Sequence, residues 1–375
     1  MEIDELHCML ALTRLAASNP SFALQLYRQW DSALAVYEHR DEVARMLGGS
    51  MARRFSDQHE WNEALEKADA EVTFTKKHNI RILQMGQPEY PQRLNECVDA
   101  PLVLYYMGSA ELNAQHVVSI VGTRHITAYG RDCVQQLITG LKAAGVLPLI
   151  ISGLAYGVDV CAHRNALENG MDTIGVLAHG LDELYPPRHR DTAKEMLHQG
   201  GLLTEYMTQS RVDKINFIRR NRIVAGMADA VVLVESAAHG GGLVTANIAN
   251  DYNRAVFAFP GAVGAPYSEG CNQLIRRNGA ALITSATDLL ESMGWQTEAE
   301  LQKAKKNGIE RSLFLDLTDE EKLVVDVLDQ CGDLQLNQLS VKTNITIGQI
   351  TALLFQLEMK GVVRPMAGGN YHLLH

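Results

Sequence analysis

At 375 residues the chain is longer than one ordinary hydrophobic core, and two or three domains are expected. Hydrophobic residues at 46% and charged residues at 21% describe an ordinary globular composition, and the lack of any apolar run of about eighteen residues excludes a membrane-crossing helix. The net charge of −10 divides into −6 over 1–114, zero over 115–290 and −4 over 291–375, so acidity at the two ends leaves the middle open to a polyanion.

The opening MEIDELHCML is acidic where an export signal would be basic. Six cysteines (Cys8, Cys97, Cys133, Cys161, Cys271, Cys331) contain no C-x-x-C pair and fit neither a zinc ribbon nor a disulfide framework. Reduced thiols in the cytoplasm, no metal and no cofactor are therefore expected.

Residues 1 to about 75 read as helices, with apolar positions at helical spacing in LHCMLALTRLA and FALQLYRQWDSALAVY, punctuated by Pro20 and Gly48-Gly49. From 115 to 292 short apolar runs alternate with helical patterns: VVSIV, LPLIIS, TIGVLA, GLLTEY, DAVVLVE, AVFAFP and ALIT. Runs without polar alternation suit strands buried on both faces of a parallel sheet. The fold class expected is α/β, a Rossmann-like, doubly wound, mostly parallel sheet. Residues 295–312 are polar and read as a linker. The tail gives three helices and a hairpin around Gly368-Gly369-Asn370, which is the winged-helix pattern. With four Lys/Arg against eight Asp/Glu over 313–375, that module reads as a protein contact more readily than as a DNA reader.

In an open α/β sheet, ligands bind beyond the carboxyl ends of the strands. There VVSIV runs into Gly122-Thr123-Arg124 and a helix near Thr127, a turn whose free N–H groups and arginine suit a phosphate but which alone is a weak signal. LPLIIS ends in Ser152-Gly153, followed by Asp159 and His163 on one helix face. An acid–base pair is one reading of those two. With no nucleophile beside them, a helix-start carboxylate and a histidine bonded to backbone is the reading adopted. DAVVLVE leads to His239-Gly240-Gly241-Gly242 and Thr245, where glycines let the backbone approach a phosphate closely. The stretch 211–222 carries five basic residues against Asp213, a local +4 that reads as a phosphate face or a solvated helix face. Neither G-x-x-x-x-G-K-[ST] nor G-x-G-x-x-G is present, so a P-loop or an ordinary dinucleotide site is not supported.

These residues resemble the DNA-processing protein A (DprA/Smf) family over roughly 80–292. The resemblance rests on ordered blocks: Tyr90-Pro91-x-x-Leu94 with Pro101 and Gly108, VGTRHITAYG, SGLAYGVDVCAHRNAL, GLDELYPPRH, TEYMTQSRVDKINFIRRNRIVAG and VFAFPGAVGAPYSEGCNQLIRRNGA. It implies a helical (SAM/helix-hairpin-helix-like) domain over 1–75, an extended Rossmann-like DNA-binding domain over 76–294, the linker, and a winged-helix-like domain over 313–375. It also implies a non-enzymatic protein that binds single-stranded DNA, forms a homodimer through the Rossmann-like domain, and loads the RecA recombinase in natural transformation. Carried over by position, Gly122, Thr123, Arg124, Lys214, Arg219, Arg220, Asn221 and Arg222 would meet DNA, chiefly its phosphates. Ser152, Gly153, Gly240, Gly241, Gly242 and Thr245 would shape the pocket. Two departures stand out: the family's loop is S-G-S-x-x-T-A where this chain has Gly240-Gly241-Gly242, and Ile218 replaces a proline.

A second likeness is to nucleoside-monophosphate phosphoribohydrolases of the LOG type, whose signature P-G-G-x-G-T-x-x-E carries a catalytic glutamate. With its threonine set on Thr245, Ile248 takes the glutamate's place, which counts against hydrolysis. A third reading is an adaptor whose acidic winged helix recruits partners.

Overall fold

The computed structural model describes residues 3–16, 19–210, 212–295 and 317–374. Arg211 and, apart from Trp295, the expected linker lie outside the described residues.

Six helices open the chain: α1 (Glu5–Leu15), α2 (Pro20–Trp30), α3 (Ala33–Glu38), α4 (Arg40–Met46), α5 (Gly49–Ser56) and α6 (Gln58–Lys77). Their starts follow local chemistry. Asp4 caps α1 by accepting the His7 N–H, Pro20 sits in the first turn of α2, and Asp57 caps α6. Along α6, Trp61, Ala64, Leu65, Ala68 and Val72 form a buried stripe. These side chains join one hydrophobic cluster with the sheet, so the helices and one sheet face share a core. Glu71 of α6 anchors the loop at Thr208, taking its N–H at 3.0 Å and its hydroxyl at 2.6 Å.

The sheet has nine strands: β1 (Arg81–Gln84), β2 (Val103–Gly108), β3 (Val117–Val121), β4 (Leu149–Ser152), β5 (Thr173–Val176), β6 (Gly200–Thr204), β7 (Ala230–Leu233), β8 (Ala255–Ala258) and β9 (Ala281–Leu282). Their order is β1-β2-β6-β5-β4-β3-β7-β8-β9. Strands β3 to β9 pair in parallel, whereas β2 runs antiparallel to β6 and β1 antiparallel to β2. All seven apolar runs form strands. The antiparallel pair is not legible in the sequence, because β2 finds its partner β6 about a hundred residues downstream.

Helices pack on both faces. Val118, Ile120, Ile150 and Val232 face α8 (Ala128–Ala143), α9 (Val158–Glu168) and α14 (Ala286–Met293). Val121, Ile151, Val176 and Val231 face the other way, toward α11 (Lys214–Gly226), α12 (Gly241–Asp251) and the N-terminal helices. Between them in the chain lie the short α7 (Gln92–Asn95), α10 (Arg190–Met196) and α13 (Glu269–Arg276). From β3 the chain winds outward through β4, β5 and β6, then returns to β7 on the opposite side of β3. The loops leaving β3 and β7 therefore diverge, and a crevice opens at the carboxyl ends between them.

The tail folds as α15 (Asp319–Cys331), β10 (Leu334–Gln335), α16 (Leu336–Thr343), α17 (Ile347–Met359), β11 (Val363–Pro365) and β12 (Asn370–Leu373), a winged helix with its own core. It is seated on the amino ends of the sheet strands. Gln335 accepts from Arg254 Nη1 at 2.9 Å and its amide donates to the Asp229 carbonyl at 3.4 Å. Gln115 donates to the Cys331 carbonyl at 3.1 Å, and Asn370 to that of Met293 at 3.3 Å. Asp229 and Arg254 immediately precede β7 and β8, so this seat is at the pole opposite the crevice. Among the described residues, no helix is long and apolar enough to cross a membrane.

Candidate nucleic-acid interface

The crevice is a cleft of about 300 Å³. One wall is the turn Gly122-Thr123-Arg124 after β3; the facing wall is the glycine loop after β7, with Gly240, Gly241, Gly242 and Thr245. Glu235, two residues beyond β7, ties the two together. Its carbonyl accepts the Thr123 N–H at 2.8 Å, and its carboxylate takes the Thr127 N–H at 2.8 Å and hydroxyl at 2.6 Å. Thr127 in turn caps α8.

The glycines are dictated by proximity. A side chain at Gly242 would place Cβ 2.6 Å from Leu233 Cδ1 and 3.0 Å from Gly122 Cα, so the two walls approach each other closely only because residue 242 lacks one. A serine at 242, as the family pattern has it, would crowd this contact. Gly240 is the N-cap of α12 without a capping side chain. The first-turn N–H groups of Gly241 and Gly242 have no intrahelical acceptor and face the cleft's end of the helix dipole, which is a place for an anion.

The floor and remaining wall come from α11 and the segment after β4. Helical spacing puts Phe217, Arg220, Asn221 and Val224 on the cleft side of α11. Arg124 is exposed and its guanidinium lies 5.4 Å from the Phe217 ring centre, with Tyr185 packed edge-on to that ring at 5.9 Å. Arg220 is only 3% exposed. Its Nη1 donates to the Val176 carbonyl at 2.8 Å, and its guanidinium lies flat over Gly153, where any Cβ would overlap it. Asp159 also lines the floor. Its Oδ2 accepts the N–H groups of Gly153 at 3.2 Å and Ala155 at 3.4 Å. Burial pushes the Asp159 carboxyl up and the Arg220 charge pulls it back, while burial also lowers Arg220.

Ten of the fourteen expected site residues line this cleft: Gly122, Thr123, Arg124 and Gly153, with Arg220 and Asn221 from α11, and Gly240, Gly241, Gly242 and Thr245. Four do not. Arg222 is buried and ion-paired with Glu205, because its place on α11 is on the side away from Phe217. Burial pushes the Glu205 carboxyl up and Arg222 opposes it, so that charge is spent inside the protein. Arg219 lies on the same side of the helix and adds to the field on Glu205. Ser152 is wholly buried, its hydroxyl donating to the Ile120 carbonyl at 2.6 Å. Lys214 is exposed at the first turn of α11, outside the cleft. The +4 count over 211–222 thus overstates the positive face, since charge counting ignores which side of a helix each residue takes. Phe217 and Asp159 are cleft residues that the sequence alone does not place there. Helical periodicity from Arg220 is the signal that points to Phe217.

Asp159 and His163 do not form an acid–base pair. His163 is fully buried and its Nδ1 meets Thr173 Oγ1 at 2.7 Å. The Thr173 hydroxyl already donates to the Ile150 carbonyl at 2.9 Å, so it accepts from the imidazole, which bonds a hydroxyl and not backbone as expected. Burial drives the His163 pKa down to about 3. The unfolded chain takes that proton near pH 6.5, so the folded state is favoured fully above that pH and loses stability as pH falls toward about 3. The loss reaches at most about 1.4 kcal/mol per pH unit. Thermal midpoints from pH 7 to 4 should fall less steeply in His163→Gln than in the parent; equal slopes would exclude this histidine as the source.

Among the described residues, no group of three His, Cys, Asp or Glu side chains is placed to hold a metal ion. The sequence model of the DNA recombination-mediator protein A family matches residues 81–294, and that of the DprA winged helix domain matches 315–369. Protein Smf of Synechocystis is 33% identical over 321 residues, covering 78% of this chain and 80% of that protein. Protein Smf of Escherichia coli is 32% identical over 310 residues, covering 81% and 80%. The X-ray structure of DNA processing protein A from Streptococcus pneumoniae superimposes with a TM-score of 0.66 at 29% identity, covering 78% of this chain and 98% of that one. A Helicobacter pylori DNA processing protein A, described for its single-stranded DNA binding mode, superimposes with a TM-score of 0.50 at 28% identity, covering 56% and 94%. The chain belongs to the DNA recombination-mediator protein A (DprA/Smf) family.

Proposed function

We propose that this protein binds single-stranded DNA in the strand-end cleft, without catalysing a reaction, and passes the protected strand to RecA during DNA uptake. The reading rests on the company Arg124 keeps: an exposed guanidinium beside the aromatic face of Phe217, across from the uncapped start of α12. Guanidinium and helix-start N–H groups suit backbone phosphates, and an aromatic face suits unstacked bases of any sequence. Duplex DNA keeps its bases stacked and offers nothing to that ring. The Helicobacter pylori relative, described as a single-stranded DNA binder, supports the assignment by kinship. Against hydrolysis, α12 carries Ile248 one turn beyond Thr245, where the phosphoribohydrolase signature has its glutamate.

Arg124→Ala is expected to weaken binding to single-stranded oligonucleotides about tenfold regardless of sequence, and to reduce the salt slope by about 0.7, the share of a single phosphate neutralised by one arginine. Titrations of single- and double-stranded oligonucleotides at several salt concentrations measure both. Equal affinity of parent and variant would remove the cleft from DNA binding. Sizing with and without oligonucleotide tests the homodimer, and release of free base from nucleoside monophosphates would restore the enzyme reading.

A further inference from the structure

Among the described residues, none that lines the cleft comes from α1–α6, yet those helices hold the approach to one of its walls. Between β6 and α11 the chain turns at Met207–Ser210, where the Ser210 hydroxyl donates to the Met207 carbonyl at 2.6 Å. Two other parts of the molecule grip this turn. From α6, the Glu71 carboxylate, 5% exposed, accepts both the N–H and the hydroxyl of Thr208. From the loop after β5, Asp182 Oδ2 accepts the next N–H, that of Gln209, at 2.8 Å. Gly180 of the same loop lies so close that a Cβ there would stand 2.6 Å from the Met207 carbonyl oxygen and 2.9 Å from Thr208 Cα. Gln209 is held at φ 59°, a left-handed conformation that residues with a side chain disfavour. Burial pushes the Glu71 carboxyl up, the Thr208 hydrogen bonds pull it back, and the Asp182 charge raises it again. Two carboxylates that repel each other are thus kept at adjacent peptide groups, which costs stability and fixes the backbone between them.

What is fixed there is the start of α11. Asp213 caps that helix by accepting the Ile215 N–H at 3.0 Å, and the Tyr206 hydroxyl, just before the turn, donates to the Asn216 carbonyl at 3.4 Å. Phe217 follows at once, and the Asp182 loop carries Tyr185, which packs edge-on to it. Both aromatic rings therefore take their places from the same gripped turn. We propose that Glu71 is a positioning residue of the DNA cleft: through Thr208 it sets the start of α11, so the N-terminal helical domain governs single-strand affinity without touching the strand. This rests on the single-strand reading above. Arg124 and the start of α12 belong to the other walls, so the phosphate contacts and the salt dependence do not pass through Glu71.

The test uses the full-length protein and an oligothymidylate, titrated at several salt concentrations and at a temperature where each variant is folded. Glu71→Ala is expected to bind about tenfold more weakly than the parent with an unchanged salt slope, an effect of the size that residues acting on a site through others produce. Glu71→Gln keeps an acceptor for the Thr208 N–H and is expected to stay within about threefold of the parent. Leu65→Ala, on the same helix and buried in the same core, is expected to lower stability at least as much as Glu71→Ala and to leave affinity unchanged. An equal loss of affinity in Leu65→Ala would mean that binding merely follows stability, and would overturn the proposal. Parent affinity in Glu71→Ala would do the same, as would a lowered salt slope, since the Arg124 wall would then have moved. Should Glu71→Ala fail to fold, Thr208→Val removes the hydroxyl bond alone; it is expected to bind about threefold more weakly, and parent affinity would overturn the proposal. If Arg124→Ala weakens binding while Glu71→Ala does not, only the positioning role is lost. If the parent does not bind, the single-strand reading goes with it.

Discussion

Gly157→Ala should cost the fold about 3 kcal/mol and at the same time weaken single-strand binding about as much as losing Arg124. Gly157 precedes α9 with φ 81° and ψ −124°, a conformation that side chains exclude. A Cβ there would overlap the Thr123 carbonyl and stand 2.6 Å from the Arg124 carbonyl carbon, both of them backbone. The Val158 N–H also donates to Thr123 at 3.1 Å, so the start of α9 is the bed on which the Arg124 turn lies. Strain at 157 is thus passed directly to the cleft wall. Gly170→Ala is the control: φ is 75° but nothing lies within 4 Å of its Cβ, so it should cost about 1–2 kcal/mol and leave DNA affinity alone. Denaturant unfolding and oligonucleotide titration of both variants decide the matter. If the two behave alike in DNA binding, the proposed coupling between Gly157 and Arg124 is wrong.

Asp229→Ala should be the most damaging single truncation of a charge in this chain, at about 3–5 kcal/mol. Asp229 is 3% exposed and takes both arms of Arg93, Nε at 2.5 Å and Nη2 at 2.9 Å, as well as the Val117 N–H at 2.8 Å. Arg93 is itself 4% exposed. Without its partner, that guanidinium would be left charged in a dry site, and β3 would lose the acceptor for its first N–H. Because the pair sits at the amino pole of the sheet, folded Asp229→Ala should still bind single strands with the parent's affinity. Unfolding by urea gives the first quantity and titration at low temperature the second. A destabilisation below about 1 kcal/mol would mean that water reaches Arg93 and relieves it.

The sequence and the structure agree where local pattern suffices. Seven apolar runs, each too short for a helix and without polar alternation, form the parallel strands, and their end turns form the cleft walls at Gly122–Arg124 and Gly240–Gly242. Pattern fails where a partner is remote. Val103–Gly108 is apolar enough for a strand, but its place beside β6 depends on residues about a hundred positions away. Arg222 looks like a phosphate ligand by its neighbours in sequence, and only the fold reveals Glu205 against it. Asp159 reads along the chain as a helix-start carboxylate, and only the fold brings Arg220 to it from another helix. Side chains whose roles depend on what faces them across the sheet cannot be read along the chain.

The winged helix seated on the amino pole makes the protein less modular than its domain order suggests. Shortening the chain before Asp319 would strip the Gln335 acceptor from the guanidinium of Arg254, which is 5% exposed, and uncover Ala255, against which Gly368 packs. Arg254 also holds the carbonyls of Arg93 at 2.5 Å and Gly226 at 3.2 Å, so the cut would reach the last turn of the helix that carries Phe217 and Arg220. A shortened chain that bound DNA poorly would then be reporting a disturbed α11 and not a missing DNA contact. Exchanging winged helices between relatives should succeed only where the transplanted domain brings a glutamine, or another acceptor of that reach, to the place of Gln335.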